Sequence, residues 1–153
     1  MKILVIGKNG YVSTCFQTYM KKFNSVTVDA ISARDGVWKE KDFRGYDAIF
    51  NATGLAHNDA RMGTDEEFIA LNVTLPLGLA EKAKAEGVPV FVNMSSMIVY
   101  GNMTPIGSKE RITADTIPTP ANIYGKSKLM GEEGILKLND DSFQVAVIRS
   151  SLV

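Results

Sequence analysis

A tyrosine and a lysine four residues apart are the side chains in this sequence best suited to chemistry. A helix is predicted from Thr119 and Pro120, as N-cap and first-turn residues, through Leu138. Positions i and i+4 share one face of a helix, so Tyr124 and Lys128 can reach the same bound molecule. A phenol ordinarily has a pKa of about 10, and a nearby ammonium stabilises the phenolate. The pair could therefore move a proton, although chance also produces such pairs and the rest of the chain must support it.

Length and composition indicate one globular domain without a charged partner. The chain has 153 residues, 45% hydrophobic and 22% charged, with 17 basic and 17 acidic side chains. Because there is no basic excess, neither nucleic acid nor an anionic membrane is expected as a partner. The first apolar run, residues 3–6, is too short for a signal peptide or a membrane span. We therefore expect a cytoplasmic protein.

The single cysteine and the single histidine argue against a metal site and an internal disulfide. Cys15 is predicted to lie on the apolar side of the first helix as a packed core thiol. His57 lies in the polar stretch 55–64, with no second histidine or thiol nearby. We interpret it as a loop residue near the mouth of a pocket.

A glycine turn between a strand and a helix predicts a dinucleotide site. Residues 3–6 form an apolar run typical of a strand buried on both faces. Gly7 permits a tight turn, Gly10 allows backbone to approach a pyrophosphate, and the following helix offers free N–H groups. Ser13 stands where a third glycine would allow close packing. The apolar residues of the helix are Val12, Phe16, Tyr19 and Met20.

The second predicted strand, residues 25–31, leaves the choice of dinucleotide open. The residue that meets the adenosine ribose follows from the end of this strand: an acid suits NAD, and an arginine suits NADP. Asp29 favours NAD and Arg34 favours NADP, so NAD is the expectation and NADP the alternative. Val37-Trp38 is predicted as a short third strand. Trp38 or Phe43 could flank the adenine, and simple packing is the alternative role.

The remaining elements complete an α/β pattern. Strands are predicted over residues 46–54, 90–94 and 143–148, and a helix over 65–86 is expected to kink at Pro76. Asn72 lies beside the apolar stripe of that helix. The apolar stripe consists of Phe68, Leu71, Leu75, Leu79 and Ala83. Alternating strands and helices predict a Rossmann-type, doubly wound parallel sheet, in which ligands bind beyond the carboxyl ends of the strands.

These motifs together resemble the extended short-chain dehydrogenase/reductase family, in its nucleotide-sugar epimerase/dehydratase and reductase branch. The resemblance covers essentially the whole chain. It is carried by Gly7-x-x-Gly10 after the first strand, by residues 95–101 after the fifth, and by Tyr124-x-x-x-Lys128.

The resemblance implies a role for each motif residue. Ser96 matches the catalytic serine or threonine, Tyr124 the proton-transferring tyrosine, and Lys128 the lysine that holds the nicotinamide ribose. Asn72 matches a helix asparagine used near the active site. The residues expected to contact NAD or NADP are Gly7, Asn9, Gly10, Tyr11, Val12, Asp29, Arg34, Ala52, Thr53, Gly54, Asn72, Met94, Tyr124 and Lys128.

The implied activity is an NAD(P)-dependent epimerase or ketoreductase that acts on a nucleotide sugar. Sugar 4,6-dehydratases of the family carry an acidic pair after the serine position, whereas Met97 and Ile98 follow Ser96 here. Dehydration is therefore disfavoured. The alternative function is a non-catalytic dinucleotide-binding regulatory or redox-sensing module on the same fold.

The resemblance also implies a larger protein. Family members continue past the strand at residues 143–148 into a smaller lobe that binds the sugar nucleotide, and they are often homodimers. We therefore expect residues 1–153 to form the cofactor-binding domain of a two-lobed protein, truncated before the substrate-binding lobe. On their own they should bind dinucleotide weakly and turn over sugar nucleotides poorly.

Overall fold

A parallel β-sheet forms the centre of the computed structural model, which describes residues 1–56, 63–101 and 111–151. Within those residues the sheet has five strands in the order β2-β1-β3-β4-β5. Every neighbouring pair is parallel. The strands are β1 (Lys2–Ile6), β2 (Thr27–Ile31), β3 (Ala48–Asn51), β4 (Val90–Ser96) and β5 (Gln144–Ser150). The order reverses between β1 and β3, and in such sheets ligands bind beyond the carboxyl ends of the strands at that point.

Helices connect the strands and cover both faces of the sheet. The helical elements are α1 (Tyr11–Met20), a 3₁₀ turn (Arg34–Gly36), α2 (Val37–Glu40), α3 (Asp65–Ile69), a π-helical segment (Ala70–Thr74), α4 (Leu75–Ala85), a second 3₁₀ turn (Met97–Tyr100) and α5 (Ile123–Leu136). None of the described helices is long and apolar enough to cross a membrane.

Two apolar cores lie on opposite faces of the sheet. In β1, Leu4 and Ile6 face the larger core, which includes Leu79 of α4 and Ile135 of α5. The intervening Ile3 and Val5 face the smaller core, where side chains of α1 pack. This alternation follows from the twofold period of a strand. The arrangement confirms the predicted doubly wound α/β fold.

The predicted third strand at Val37-Trp38 is wrong, because these residues begin α2. Gly36 has a φ of 69°, in the left-handed region, and turns the chain into the helix. Trp38 packs against the larger core, and a Cβ placed on Gly78 would lie 3.1 Å from its ring. Phe43 is fully buried in the same core. Both aromatic residues therefore have packing roles.

The predicted helix over residues 65–86 is divided by the π-helical segment, and the irregularity precedes Pro76. Leu71, predicted to be buried, is 39% exposed, whereas Asn72 is only 2% exposed. A π turn holds one more residue than an α turn, which rotates the helical faces relative to the sequence. Pro76 is the second residue of α4, directly after the π-helical segment, and the backbone is helical at Thr74 and Leu75, so the helix runs on through the proline.

Two further predictions near helices are corrected. The helix that carries Tyr124 begins at Ile123, and its cap is Asn122 rather than Thr119: the Asn122 Oδ1 accepts a hydrogen bond from the Gly125 N–H at 2.9 Å. Cys15 is exposed, because α1 turns Ser13 toward the sheet instead. Ser13 is fully buried and accepts a hydrogen bond from the Gln17 amide at 3.0 Å.

Candidate active site

The glycine turn after β1 brings three chain segments together at the strand ends. Gly7 has a φ of 106°, and its N–H and that of Lys8 donate to the Ile31 carbonyl at the end of β2, at 2.9 and 3.0 Å. A Cβ on Gly7 would lie 3.2 Å from Ala52. Glycine is therefore required by both the backbone angle and the close approach of the chain after β3.

A cavity of about 460 Å³ opens beside this turn at the carboxyl ends of β1, β2 and β3. This volume is within the range of small-molecule sites. Gly10 caps α1 with no side-chain hydrogen bond, so the first N–H groups of the helix are open to an anion. The lining residues are Gly7, Lys8, Asn9, Gly10, Ser32, Ala33, Arg34, Ala52, Thr53, Gly54, Leu55, Leu71 and Leu75.

Predicted cofactor residues divide into those at the cavity and those elsewhere. Tyr11 and Val12 begin α1 but do not line the cavity, and Tyr11 is 70% exposed. The Met94 side chain packs in the smaller core. The cavity is lined by seven predicted residues: Gly7, Asn9, Gly10, Arg34, Ala52, Thr53 and Gly54.

Asp29 does not line this cavity, and its contact with the adenosine ribose stays a prediction. Its carboxylate accepts a hydrogen bond from the Tyr46 hydroxyl at 2.6 Å and lies 3.7 Å from the Lys2 ammonium. Burial and this carboxylate both raise the pKa of Tyr46. Asp29 is in the middle of β2, whereas Ser32, Ala33 and Arg34 follow the strand end and line the cavity.

Lys128 places a buried ammonium next to the chain that follows β3. The residue is 8% exposed, and its Nζ donates to the Met94 carbonyl at 3.3 Å. A Cβ on Gly54 would collide with this Nζ. Burial lowers the pKa of Lys128 to about 8, and the Glu132 carboxylate opposes that effect. The ammonium therefore lies between the ends of β3 and β4.

Asn72 joins the π-helical segment to two other elements. Its Oδ1 accepts from the Leu55 N–H at 2.9 Å, and its Nδ2 donates to the Leu55 carbonyl and to the Ser127 hydroxyl, each at 3.0 Å. Ser127 immediately precedes Lys128 on α5. Asn72 therefore holds the cavity wall at Leu55 against the helix that carries the tyrosine and lysine. Single-turn π segments are frequent at functional sites.

Tyr124 and Ser96 lie on the two elements that meet at Lys128. Tyr124 is in the first turn of α5, one helical turn before Lys128, and its ring centroid lies 6.1 Å from that of Phe68. Ser96 ends β4, and its hydroxyl accepts a hydrogen bond from the Ile98 N–H at 3.2 Å. Ser96, Tyr124 and Lys128 do not line the glycine-turn cavity, and Gly54 connects that cavity to Lys128.

A buried polar network next to these residues has no counterpart among the predicted site residues. Glu132 is 1% exposed and forms an ion pair with Arg149 at 2.6 Å. The Ser95 hydroxyl donates to the same carboxylate. One sequence signal could have identified it, since Glu132 is four residues after Lys128 and so shares its helical face.

His57 lies outside the described residues. Within the described ranges, no group of three or more histidine, cysteine, aspartate or glutamate side chains could hold a metal ion.

The family of the chain follows from its match to a family model. Residues 3–153 match the model of the NAD dependent epimerase/dehydratase family. The chain belongs to this family. The resemblance inferred from the motifs around Gly7, Ser96 and Tyr124 is thereby confirmed. Among curated proteins, the comparison finds no match.

Solved structures share this fold at low sequence identity. UDP-glucuronic acid 4-epimerase from Bacillus cereus in complex with NAD has a TM-score of 0.79 at 18% identity, over 99% of this chain and 57% of that chain. The protein RMD from Pseudomonas aeruginosa, complexed with NADPH, has a TM-score of 0.80 at 23% identity, over 98% and 52%. A dTDP-4-dehydrorhamnose reductase from Clostridium acetobutylicum has a TM-score of 0.77 at 25% identity, over 96% and 52%. The chain thus spans about half the length of these structures.

Proposed function

We propose that this chain is the cofactor-binding and catalytic part of an NAD(P)-dependent enzyme that epimerises or reduces a nucleotide sugar. The observation that carries the proposal is the position of Lys128. Its buried Nζ lies beside Gly54 and the Met94 carbonyl, one helical turn from Tyr124. An ammonium near the carboxyl ends of β3 and β4, where the fold binds ligands, and a phenol one turn away on the same helical face suit one bound molecule.

The residues present fit a dinucleotide. The Gly7–Gly10 turn and the open N-terminus of α1 suit a pyrophosphate, and Ser32–Arg34 lie where the adenosine ribose would be held. Residues 52–54 offer small side chains and backbone to a flat ring. A bound nicotinamide supplies hydride acceptor and donor chemistry.

The catalytic residues have separable roles. Tyr124 exchanges the proton of the reacting sugar hydroxyl through its phenolic oxygen. Lys128 holds the nicotinamide ribose and stabilises the phenolate with its positive charge. Ser96 donates a hydrogen bond to the reacting oxygen and fixes its position. Met97 and Ile98 follow Ser96 in the second 3₁₀ turn and offer no acid or base for loss of water.

Two observations support a nucleotide sugar as the substrate class. The family model describes epimerases and dehydratases. Structures of the same fold include a UDP-glucuronic acid 4-epimerase and a dTDP-4-dehydrorhamnose reductase, by name enzymes of nucleotide sugars. A homodimer remains a prediction.

The experiment is a turnover assay of the full-length protein. UDP- and dTDP-hexoses are incubated with NAD, and their 4-keto derivatives with NADH or NADPH, and the products are separated by chromatography. We expect either the 4-epimer or the reduced sugar. Dinucleotide binding without turnover of any sugar would favour the non-catalytic module, and absence of dinucleotide binding would contradict the proposal as a whole.

A further inference from the structure

A buried carboxylate, Glu132, lies next to the candidate catalytic residues without a role in the proposed reaction. It is in α5, one helical turn after Lys128 and two turns after Tyr124. Its side chain is only 1% exposed. Burying a charge is costly unless the charge is paired and hydrogen-bonded, and Glu132 has two such partners, Arg149 and Ser95.

The partners of Glu132 come from different elements. Arg149 of β5 donates from Nε at 3.0 Å and from Nη2 at 2.6 Å to the Glu132 Oε2. Ser95 of β4 donates its hydroxyl proton to Oε1. The other end of Arg149, Nη1, donates to the Tyr100 hydroxyl at 2.5 Å. One carboxylate therefore links α5 to β4 and β5, and through Arg149 to the second 3₁₀ turn.

These links enclose the segment that carries Ser96. Ser95 immediately precedes it, and Tyr100 ends the 3₁₀ turn that Ser96 caps. Both ends of this short segment are attached to Glu132, directly through Ser95 and indirectly through Arg149. The side chains of Ser96 and of the Tyr124–Lys128 face are on separate elements, so their relative position depends on such links.

The Glu132 carboxylate also acts on the pKa of Lys128. The elements against Lys128 contribute the Met94 carbonyl from β4, Gly54 from the chain after β3, and Asn72 from the π-helical segment. Within the described residues of those three elements there is no charged side chain. Arg149 of β5 faces Glu132, and Tyr124 lies on the helix of Lys128 itself. Burial lowers the pKa of Lys128, and Glu132 raises it.

We propose that Glu132 is a positioning residue for the active site, which joins the helix of Tyr124 and Lys128 to the Ser96 segment and holds a negative charge one turn from the Lys128 ammonium. The inference rests on the proposed function. It goes beyond it by assigning a role to a residue that contacts neither substrate nor dinucleotide.

The test is Glu132→Gln in the full-length protein, with Glu133→Gln as the matched control. Glu133 is the next residue of α5 and is exposed. The first readout is the pKa of Lys128, measured by an NMR pH titration of protein labelled with ¹³C and ¹⁵N lysine. The Lys128→Arg variant, which lacks the Lys128 signal, assigns that signal in the spectrum. We expect E132Q to lower the Lys128 pKa below the value of about 8 that the structure gives, and E133Q to leave it unchanged.

The second readout is the pH dependence of turnover. The ammonium form of Lys128 is the active one, so activity is present below the Lys128 pKa and is lost above it. Because E132Q lowers that pKa, the alkaline limb of the profile should move to lower pH, and kcat at neutral pH should fall about tenfold or more with a smaller change in the KM for the dinucleotide. A residue with only a structural role would lower activity without moving the limb.

A second variant keeps the test possible if Glu132→Gln alone does not fold. E132Q leaves the Arg149 guanidinium without its carboxylate, so Glu132→Gln is also made together with Arg149→Gln, which leaves no unpaired charge. An unchanged Lys128 pKa and an unmoved alkaline limb in whichever variant folds would overturn the proposal, and so would failure of both variants to fold, since Glu132 would then be structural. If the wild-type protein turns over no sugar, the proposed function fails, whereas the NMR titration still decides the inference on Glu132.

Discussion

The buried Lys128 ammonium is held in place at a cost to the folded state. Its pKa is lowered from 10.5 to about 8, which corresponds to a cost of about 3 kcal/mol when the group is charged. Between these two pH values the unfolded chain binds more protons than the folded chain, so the stability that depends on this group rises with pH. Below pH 8 the full cost is present.

We therefore expect Lys128→Met to stabilise the unliganded protein at pH 7 by about 1–3 kcal/mol while abolishing turnover. The gain should shrink as the pH rises from about 8 to 10.5, because over this range the folded wild-type protein holds the lysine in its neutral form. Denaturant unfolding at several pH values measures both effects. Lys126→Met, at an exposed position of the same helix, serves as the control and should change stability by less than about 0.5 kcal/mol. An equal loss of stability at every pH would contradict this account.

Single residues at the end of β2 should also decide the choice of dinucleotide. Arg34 lines the cavity after β2, whereas the Asp29 carboxylate is bound by Tyr46 in the middle of the strand. We expect Arg34→Ala to weaken NADPH binding about tenfold, through the loss of a charge-assisted contact worth about 1.4 kcal/mol, and to change NADH binding less. Fluorescence titration of both dinucleotides measures this.

Asp29→Asn is the matched variant for that prediction. Because Asp29 does not line the cavity, both affinities should stay as in the wild type. A selective loss of NADH affinity in this variant would restore Asp29 as the ribose-binding acid.

At the scale of elements, α5 and the π-helical segment are in very close contact. A Cβ placed on Gly131 would collide with the Asn72 backbone carbonyl, which cannot move without disturbing the hydrogen bonds of Asn72. We expect Gly131→Ala to destabilise the protein by about 1–3 kcal/mol and to lower turnover, because the same contact positions Lys128. Thermal and denaturant unfolding give the first effect, and a turnover assay gives the second.

Gly134 offers a control on the same helix. A Cβ there would meet only the end of the Leu77 side chain at 3.8 Å, which is ordinary contact. Gly134→Ala should therefore be neutral or stabilising by up to about 1 kcal/mol, since alanine favours helix. Equal stabilities of the Gly131→Ala and Gly134→Ala variants would show that the close contact between Gly131 and the Asn72 carbonyl does not limit stability.

Local patterns predicted the elements wherever regular geometry applies. The unbroken apolar run of β1 and the glycine turn after it led to the correct strand, turn and helix, because a strand buried on both faces requires such a run. Val37-Trp38 has the composition of a strand, and only Gly36 and the packing of Trp38 on Gly78 make it helical. The contact between Trp38 and Gly78 joins residues 40 positions apart, so the local sequence pattern does not show it.

The candidate site was predictable as a set of motifs but not as a geometry. Helical spacing at 3.6 residues per turn placed Leu71 inside, and the π turn, which no local residue signals, placed Asn72 there instead. The end of β2 was uncertain by a few residues in the sequence, which left both Asp29 and Arg34 open as the ribose contact; the structure ends β2 at Ile31, and of the two only Arg34 lines the cavity. The spacing of Glu132 from Lys128 could have indicated this residue, but its partners Ser95 and Arg149 are far from it in sequence, so only the fold reveals the network.

For the molecule as a whole, the residues proposed to bind the dinucleotide and those proposed to be catalytic lie around a single β-sheet. The chain covers 57% of the length of the UDP-glucuronic acid 4-epimerase and 52% of that of the dTDP-4-dehydrorhamnose reductase. That residues 1–153 alone bind dinucleotide weakly and turn over sugar nucleotides poorly stays a prediction.

The most direct test of the central claim is turnover and dinucleotide affinity of Tyr124→Phe in the full-length protein. Tyr19→Phe is the matched control, because Tyr19 is 56% exposed on α1 and does not line the cavity. If Tyr124 transfers the proton, the phenylalanine variant should lose about 10²–10⁴-fold in kcat, with the Kd for the dinucleotide unchanged within about threefold. Turnover equal to that of Tyr19→Phe would contradict the assignment of Tyr124 as the proton-transferring residue.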